Sequence, residues 1–251
     1  MLLNVLGWIS LASLSLTGAL IIYNQTAEQS AVPVAITPKP IVPTPVVDEP
    51  VKEPEAPKET PPVTEKSGSK KISLNFYSQA PFGIWDPLHE DACEEANLLM
   101  LEYWRKGEKP SLEAYDEKLK NFVGWQTDNG YGISVGVKDT QTIAKDYLNL
   151  PLKIIEINSI DDIKAQIDAG NPIVWPADGK MLKNPYFRDG GPPYHMLLVI
   201  GYDGDKIITN DPGTKRGAGY QYSAKTLLDA LGDWTGSSVD RSSRQVLILE
   251  K

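Results

Sequence analysis

A proline-rich segment at residues 24–70 limits how much of this 251-residue chain can fold. Most of it reads PKPIVPTPVVDEPVKEPEAPKETPPVTEKSGSK, in which proline is mixed with Glu, Lys, Thr and Val. Such a segment cannot bury enough apolar area to offset chain entropy, and its prolines favour an extended form of roughly 3 Å per residue. We therefore predict a disordered linker there and one folded domain at residues 71–251.

The segment before the linker is apolar enough to enter a membrane. Residues 1–23, MLLNVLGWISLASLSLTGALIIY, contain no charged side chain. As a helix they are long enough to cross a hydrocarbon core of about 30 Å. No Lys or Arg precedes Lys39, whereas a secretory signal begins with a basic region. The sequence predicts a single-pass membrane anchor with the folded domain outside the cytoplasm, or a secreted protein if the segment is cleaved.

Charge and cysteine content exclude several classes of function. The chain has 25 Lys and Arg against 33 Asp and Glu, a formal net charge of −8, which argues against a nucleic-acid partner held by its phosphates. Its single cysteine permits no internal disulfide, CxxC redox pair or cysteine-rich zinc site. We expect neither a metal nor a cofactor, and catalysis by an imidazole must use His89 or His195.

The remaining chain has the patterns of a mixed α and β domain. KISLNFYSQ alternates as a first strand, and LKIIEI and PIVWPA are short apolar strands. A first helix, which contains the cysteine, should end at Gly107. Three more helices are predicted at SLEAYDEKLKNFV, TQTIAKDYLN and SIDDIKAQIDAG. The last of them begins at a Ser159 cap and ends at Gly170. MLLVIGYDGDKIITND predicts a β-hairpin in which residues 196–202 pair with residues 206–210.

The only cysteine lies where the first of these helices begins. In HEDACEEANLLMLEYW the apolar residues recur at helical spacing, and Asp91 with Glu94 fits an N-terminal capping box. Cys93 is then the second or third helical residue, where free backbone N–H groups and the helix dipole stabilise a thiolate. Lone cysteines are also common as small buried residues. Glu94 and Glu95 add negative charge, so a nucleophile here needs a basic partner.

His195 is the candidate partner, because it opens an apolar strand that would hold its ring at the sheet edge. The hairpin returns through IITNDPG and brings Asn210 and Asp211 beside it, so either side chain could orient the imidazole. The register decides between them. A three-residue loop at residues 203–205 places Asp211 on the face of His195, and a two-residue loop at residues 203–204 places Asn210 there.

Two further polar residues belong to the candidate site or its surroundings. An acyl-transfer site needs donors for the oxyanion, and the backbone N–H of Cys93 and the side-chain amide of Gln79 are the candidates. His89 lies only four residues from Cys93, but no rigid element holds it against the sulfur. We therefore assign His89 a structural or substrate-side role.

The order Gln79, Cys93, His195, Asp211 resembles that of the papain-like cysteine peptidases of the bacteriocin-processing kind, in the stand-alone peptidase-like form of bacterial surface proteins. The resemblance spans most of residues 72–251, and its matching stretches are YSQAPFGIWD, HEDACEEANLLM, TDNGYGI and YHMLLVIGYDGDKIITNDPG. It implies a papain-like α+β fold with N-terminal helices packed on a C-terminal antiparallel sheet. By this likeness the four residues are oxyanion donor, nucleophile, base and orienting acid respectively.

The chain departs from these relatives after the cysteine. Many of them carry a small pair such as Gly-Pro there, where this chain has Glu94 and Glu95. The transporter domains of the bacteriocin-processing enzymes are also missing, so leader-peptide cleavage during export is not the expected activity.

These observations lead to one predicted function and two alternatives. The first is a membrane-anchored, extracytoplasmic cysteine peptidase that hydrolyses a peptide or amide bond of a peptide or protein substrate through a thioester on Cys93. One alternative is a catalytically inactive module that binds a surface peptide or wall polymer in the same cleft. The other is a cell-wall amidase or transglutaminase-like hydrolase.

Overall fold

A computed structural model of the protein describes residues 68–250. The predicted anchor at residues 1–23, and the predicted linker as far as residue 67, lie outside the described residues, so both stay predictions. Within residues 68–250 no helix is long and apolar enough to cross a membrane.

Helices dominate the first half of the described chain and strands the second half. The helices are α1 (Pro87–Glu90), α2 (Cys93–Lys106), α3 (Leu112–Asp128), α4 (Val137–Leu148), α5 (Ile160–Asp168) and α6 (Ala224–Ala230). The strands are β1 (Ser69–Lys71), β2 (Leu152–Glu156), β3 (Ile173–Ala177), β4 (His195–Asp203), β5 (Lys206–Asn210), β6 (Ala218–Ser223), β7 (Asp233–Trp234), β8 (Val239–Asp240) and β9 (Gln245–Leu249).

One antiparallel sheet forms the centre of the domain. Its order is β2-β9-β3-β4-β5-β6, with β1 paired to the end of β4. Helices α2, α3 and α4 cover one face, where Met196 and Leu198 of β4 pack against them. Helices α5 and α6 cover the other face, where Leu197 and Val199 point. Because helices bury both faces, β4 is an apolar run without polar alternation, and the predicted α+β class is confirmed.

Most helix ends follow local sequence signals. Helix α2 stops at Gly107, which adopts the left-handed conformation (φ 68°) that suits glycine after a helix. The Ser111 side chain caps α3 by accepting from the Ala114 N–H. Helix α5 opens with a capping box between Ser159 and Asp162. The predictions of these helices are confirmed.

The prediction of a first strand over residues 71–79 is wrong. Only Ser69–Lys71 pairs with β4, and residues 72–79 are extended chain without a β-ladder. Their alternation is real, because Leu74 and Phe76 pack on the core, but the backbone finds other partners: the Tyr77 N–H contacts Met100 Sδ at 3.4 Å. The alternation of buried and exposed side chains therefore marks an extended segment rather than a paired strand.

The predicted capping box at the start of α2 is also wrong. The N-cap of α2 is Ala92, with no side-chain cap. Asp86 instead caps the one-turn helix α1 by accepting from the His89 N–H at 3.0 Å. Pro87 follows it at the first helical position, which suits proline. Cys93 is consequently the first helical residue of α2 rather than its second or third.

The predicted hairpin is confirmed, but its register has an irregularity. Asp203 pairs with Lys206, so the turn consists of residues 204–205. A bulge at Ile200 then shifts the register by one residue, which reverses the face on which all later residues lie. Asp211 returns on the same face as His195 for this reason, and not because of the loop lengths weighed from the sequence.

Candidate active site

A cleft of about 620 Å³ opens where the first turn of α2 meets the start of β4. Cys93, His195 and Gln79 all line it. The fourth predicted site residue, Asp211, lies behind His195 and is fully buried. The fold therefore brings together residues that are as much as 132 positions apart in the sequence, from Gln79 to Asp211.

Asp211, rather than Asn210, contacts the imidazole. His195 Nε2 lies 2.8 Å from Asp211 Oδ1, and both side chains are buried. A carboxylate only accepts hydrogen bonds, so Nε2 carries a hydrogen and Nδ1 is left as the acceptor of the neutral ring. Asn210 is used elsewhere, since its Oδ1 accepts from the Gly219 N–H at 3.1 Å.

Four donors surround the Asp211 carboxylate. Oδ1 accepts from His195 and from the Gly213 N–H at 3.0 Å, and Oδ2 accepts from the Tyr222 hydroxyl at 2.5 Å and the Asn184 amide at 3.2 Å. Burial acts to raise the pKa of Asp211, but the charge and hydrogen bond of His195, with those from Tyr222 and Gly213, outweigh it and lower that pKa. Asp211 therefore stays ionised to a lower pH than an ordinary aspartate.

The His195 ring is also held sterically. The Phe187 ring meets it edge-on, with centroids 5.1 Å apart and planes at 76°. On another side Gly213 lies so close that a Cβ there would stand 2.7 Å from His195 Cε1. Together with Asp211, these contacts leave the imidazole one orientation.

The Cys93 thiol is not poised as the sequence predicted. Its Sγ donates to Glu94 Oε2 at 2.9 Å, and no hydrogen bond joins it to His195 in the described residues. Burial, the charge and hydrogen bond of Glu94, and the charge of Glu95 raise the pKa of Cys93 well above its usual value. A hydrogen bond from the Met196 backbone opposes the rise but is too small to reverse it.

The two glutamates after the cysteine are both buried. Glu94 joins α2 to the segment before α4. Its Oε1 accepts from the Val135 N–H at 3.1 Å, while its Oε2 accepts from Cys93. Burial raises the pKa of Glu94, and burial with the charge of Glu94 raises that of Glu95 well above its usual value. Glu95 therefore keeps its proton to a higher pH than an ordinary glutamate.

Asn97 joins α2 to β4. Its fully buried side-chain amide donates to the Cys93 carbonyl at 2.7 Å and to the Met196 carbonyl at 2.8 Å. One side chain thus fixes the residue that bears the thiol against the residue that follows His195. Sequence reasoning missed it, although a polar residue on the apolar face of a helix was a usable signal.

The Gln79 amide is occupied in this conformation. Its Nε2 donates to the His89 carbonyl at 2.8 Å and to the Glu90 carbonyl at 2.9 Å, which uses both amide hydrogens. The predicted role of Gln79 as an oxyanion donor therefore requires release of one of these bonds. The Cys93 N–H is the first of α2 and has no intrahelical acceptor. It can therefore face an oxyanion without the release of a hydrogen bond within the helix.

His89 has a structural environment. Its Nδ1 lies 2.8 Å from Asp86 Oδ1 and its Nε2 lies 2.8 Å from Asp116 Oδ1. The ring therefore ties the one-turn helix α1 to α3. Both of its nitrogens are occupied, so His89 is not placed as the base for Cys93.

The comparison with known families identifies this fold as a papain-like peptidase domain. A family model described as the Peptidase_C39 like family matches residues 71–238, and the chain belongs to this family. Among solved structures, a C39-like peptidase from Bacillus anthracis is similar to this chain, with 15% identity and a TM-score of 0.48, over 73% of this chain and 98% of that one. A search of curated proteins found no match.

Proposed function

We propose that this protein is a cysteine peptidase that hydrolyses a peptide or amide bond through a thioester on Cys93. The observation that carries the proposal is the buried His195–Asp211 pair, joined at 2.8 Å, in the cleft that also holds the chain's only thiol. A buried imidazole with an ionised partner behind it is the arrangement that accepts and returns a proton during acyl transfer.

The proposed reaction has two halves. The Cys93 proton passes to His195 Nδ1, and the thiolate attacks the carbonyl carbon while the first-turn amides of α2 face the developing oxyanion. The imidazolium then protonates the leaving amine and a thioester remains. Water attacks this thioester with His195 as base, and the acid leaves as Cys93 regains its proton.

The cleft walls favour an extended peptide as substrate. Trp85, Tyr186 and Tyr194 supply aromatic surface, while Lys215 and Arg216 lie on the side of the cleft formed after β5. Such a groove binds apolar side chains and polar backbone together. We further propose that residues 1–23 anchor the protein in a membrane with the peptidase domain outside the cytoplasm, where envelope peptides or proteins would be its substrates.

The test is hydrolysis of a mixture of internally quenched peptides by the full chain in detergent, with products identified by mass spectrometry. We expect cleavage by the wild type and none above background in Cys93→Ala or His195→Ala, because each removes a member of the acyl-transfer unit. Cleavage that persists in Cys93→Ala would contradict the proposal.

A binding module is the second candidate, and the hydrogen bond from Cys93 to Glu94 favours it. A thiol that stays protonated is a poor nucleophile, yet the cleft could still hold a peptide. This candidate predicts peptide binding that is equal in wild type and Cys93→Ala, with no product at any pH. Fluorescence anisotropy with the same peptides separates the two functions.

A further inference from the structure

Glu94 is a buried carboxylate in direct contact with the reacting atom, and the peptidase steps above do not use it. Its side chain is 1% exposed. One oxygen accepts from the Cys93 thiol at 2.9 Å and the other from the Val135 N–H at 3.1 Å. The carboxylate is thus fixed against the sulfur rather than turned towards solvent.

The groups that face Glu94 come from three directions. Helix α2 contributes Cys93 and Glu95. The start of β4 contributes His195, and Tyr194 directly precedes that strand. Each of these side chains interacts electrostatically with Glu94. The segment before α4 contributes only a backbone N–H. His195 is the one of these side chains that can become a cation, so the charge of Glu94 and the state of the histidine are linked.

We propose that Glu94 is a further catalytic residue, which in its ionised form holds the proton on Cys93 and in its protonated form permits the nucleophile to form. This inference rests on the proposed cysteine peptidase function. It gives the glutamate that follows the cysteine control over the formation of the thiolate.

The 2.9 Å contact between the Cys93 sulfur and the Glu94 oxygen requires a proton between the two atoms. With Glu94 ionised, that proton is on sulfur, and its transfer to His195 would leave two anions in contact. With Glu94 protonated, the thiol proton passes to His195 Nδ1 and the carboxylic O–H donates to the new thiolate. Asp211 accepts from His195 Nε2 throughout. Because the proton only moves from Cys93 to His195, the total charge of the site is unchanged.

This arrangement predicts an unusual dependence on pH. An isolated thiol loses about tenfold in thiolate, and in reactivity, for each pH unit below its pKa. Here the uptake of one proton by the site allows the state with Glu94 protonated, Cys93 a thiolate and His195 an imidazolium. We expect the reactivity of Cys93 to reach its maximum on the acidic side of pH 7.

Glu94→Gln imitates the protonated form, because its amide can accept from the Val135 N–H with oxygen and donate to sulfur with nitrogen. Glu95→Gln is the matched control: Glu95 is equally buried and adjacent, but no hydrogen bond joins it to the sulfur within residues 68–250. The difference between the two variants isolates the contact with the thiol from the general effect of replacing a buried carboxyl group by an amide.

The experiment measures the rate at which iodoacetamide alkylates Cys93 in the full chain from pH 4.5 to pH 9, with the fold of each variant checked by circular dichroism. We expect Glu94→Gln to react at least about tenfold faster than wild type at pH 7, and Glu95→Gln to stay within about twofold. An unchanged or slower Glu94→Gln, or equal acceleration in both variants, would overturn the inference.

The wild-type profile gives a second test that needs no variant. A maximum below pH 7 supports the inference, and a rate that falls steadily with acidification overturns it. Because alkylation needs no substrate, a protein that shows the Glu94 effect but cleaves nothing would refute the proposed function alone. Cleavage without the Glu94 effect would refute this inference alone.

Discussion

Gly213→Ala should damage the site through a single added methyl group. Gly213 does not have a positive φ, so alanine is permitted by the backbone and only contacts decide the outcome. The new Cβ would stand 2.7 Å from His195 Cε1, 3.1 Å from His195 Nε2 and 3.2 Å from Phe187 Cε1. Non-bonded carbon atoms prefer about 3.5–4.0 Å, so the imidazole must retreat by roughly 1 Å.

A displacement of this size should be visible in both rate and stability. Misplacing a reacting group by about 1 Å can cost on the order of 100-fold in rate, and overpacking of a filled site typically costs about 1–3 kcal/mol. We expect kcat/KM for a cleaved peptide to fall by about that factor, and urea denaturation to show the matching loss in unfolding free energy.

Gly124→Ala is the control for this variant. Gly124 lies within α3, and a Cβ there would meet nothing within 4 Å. The substitution should stabilise the helix by up to about 1 kcal/mol and leave kcat/KM unchanged. If Gly213→Ala matches wild type in both rate and stability, the steric account of how the His195 ring is held is refuted.

Two further predictions concern buried hydrogen bonds. Tyr222→Phe removes the hydroxyl that donates to Asp211 at 2.5 Å; since bonds to charged groups are worth about 1.5–3 kcal/mol, urea denaturation should show a loss of that order and peptide cleavage should slow. For Asp116, burial raises the pKa, but the hydrogen bonds and charges of Lys120 and His89 lower it overall. A lowered pKa contributes stability above the unfolded value of about 3.9 that is lost as pH falls through the folded value. The difference in unfolding free energy between wild type and Asp116→Asn should therefore be largest near pH 7 and shrink below about pH 4; a constant difference would argue against this ion pair.

The sequence predicted those elements whose signals are local. Helix α5 has its cap, capping box and apolar face within one short segment, and the β4–β5 hairpin has its turn between two apolar runs. The first strand was mistaken because alternation reports burial and not hydrogen bonding, so an extended segment on the core gives the same pattern. The bulge at Ile200 has no local signal, and together with the turn at residues 204–205 it sets the face of Asp211.

The sequence indicated which residues could form the candidate site, but not the residues that hold them in place. Cys93 and His195 were recognisable as the only thiol and a histidine at a strand start. Asn184 and Tyr222 contact Asp211 from 27 and 11 residues away, and strand β6, which carries Tyr222, was not predicted. Glu94 was seen as an unfavourable charge, but its contact with Val135, 41 residues on, depends on tertiary packing.

The most direct test of the central claim is detection of the thioester itself. The full chain would be mixed with a cleaved peptide, quenched in acid within the first turnover, digested and examined by mass spectrometry. The account predicts the acyl part of the substrate on the peptide that contains Cys93, released by hydroxylamine at neutral pH and not formed in His195→Ala. Product release with no adduct on Cys93, and undiminished turnover in Cys93→Ala, would contradict it.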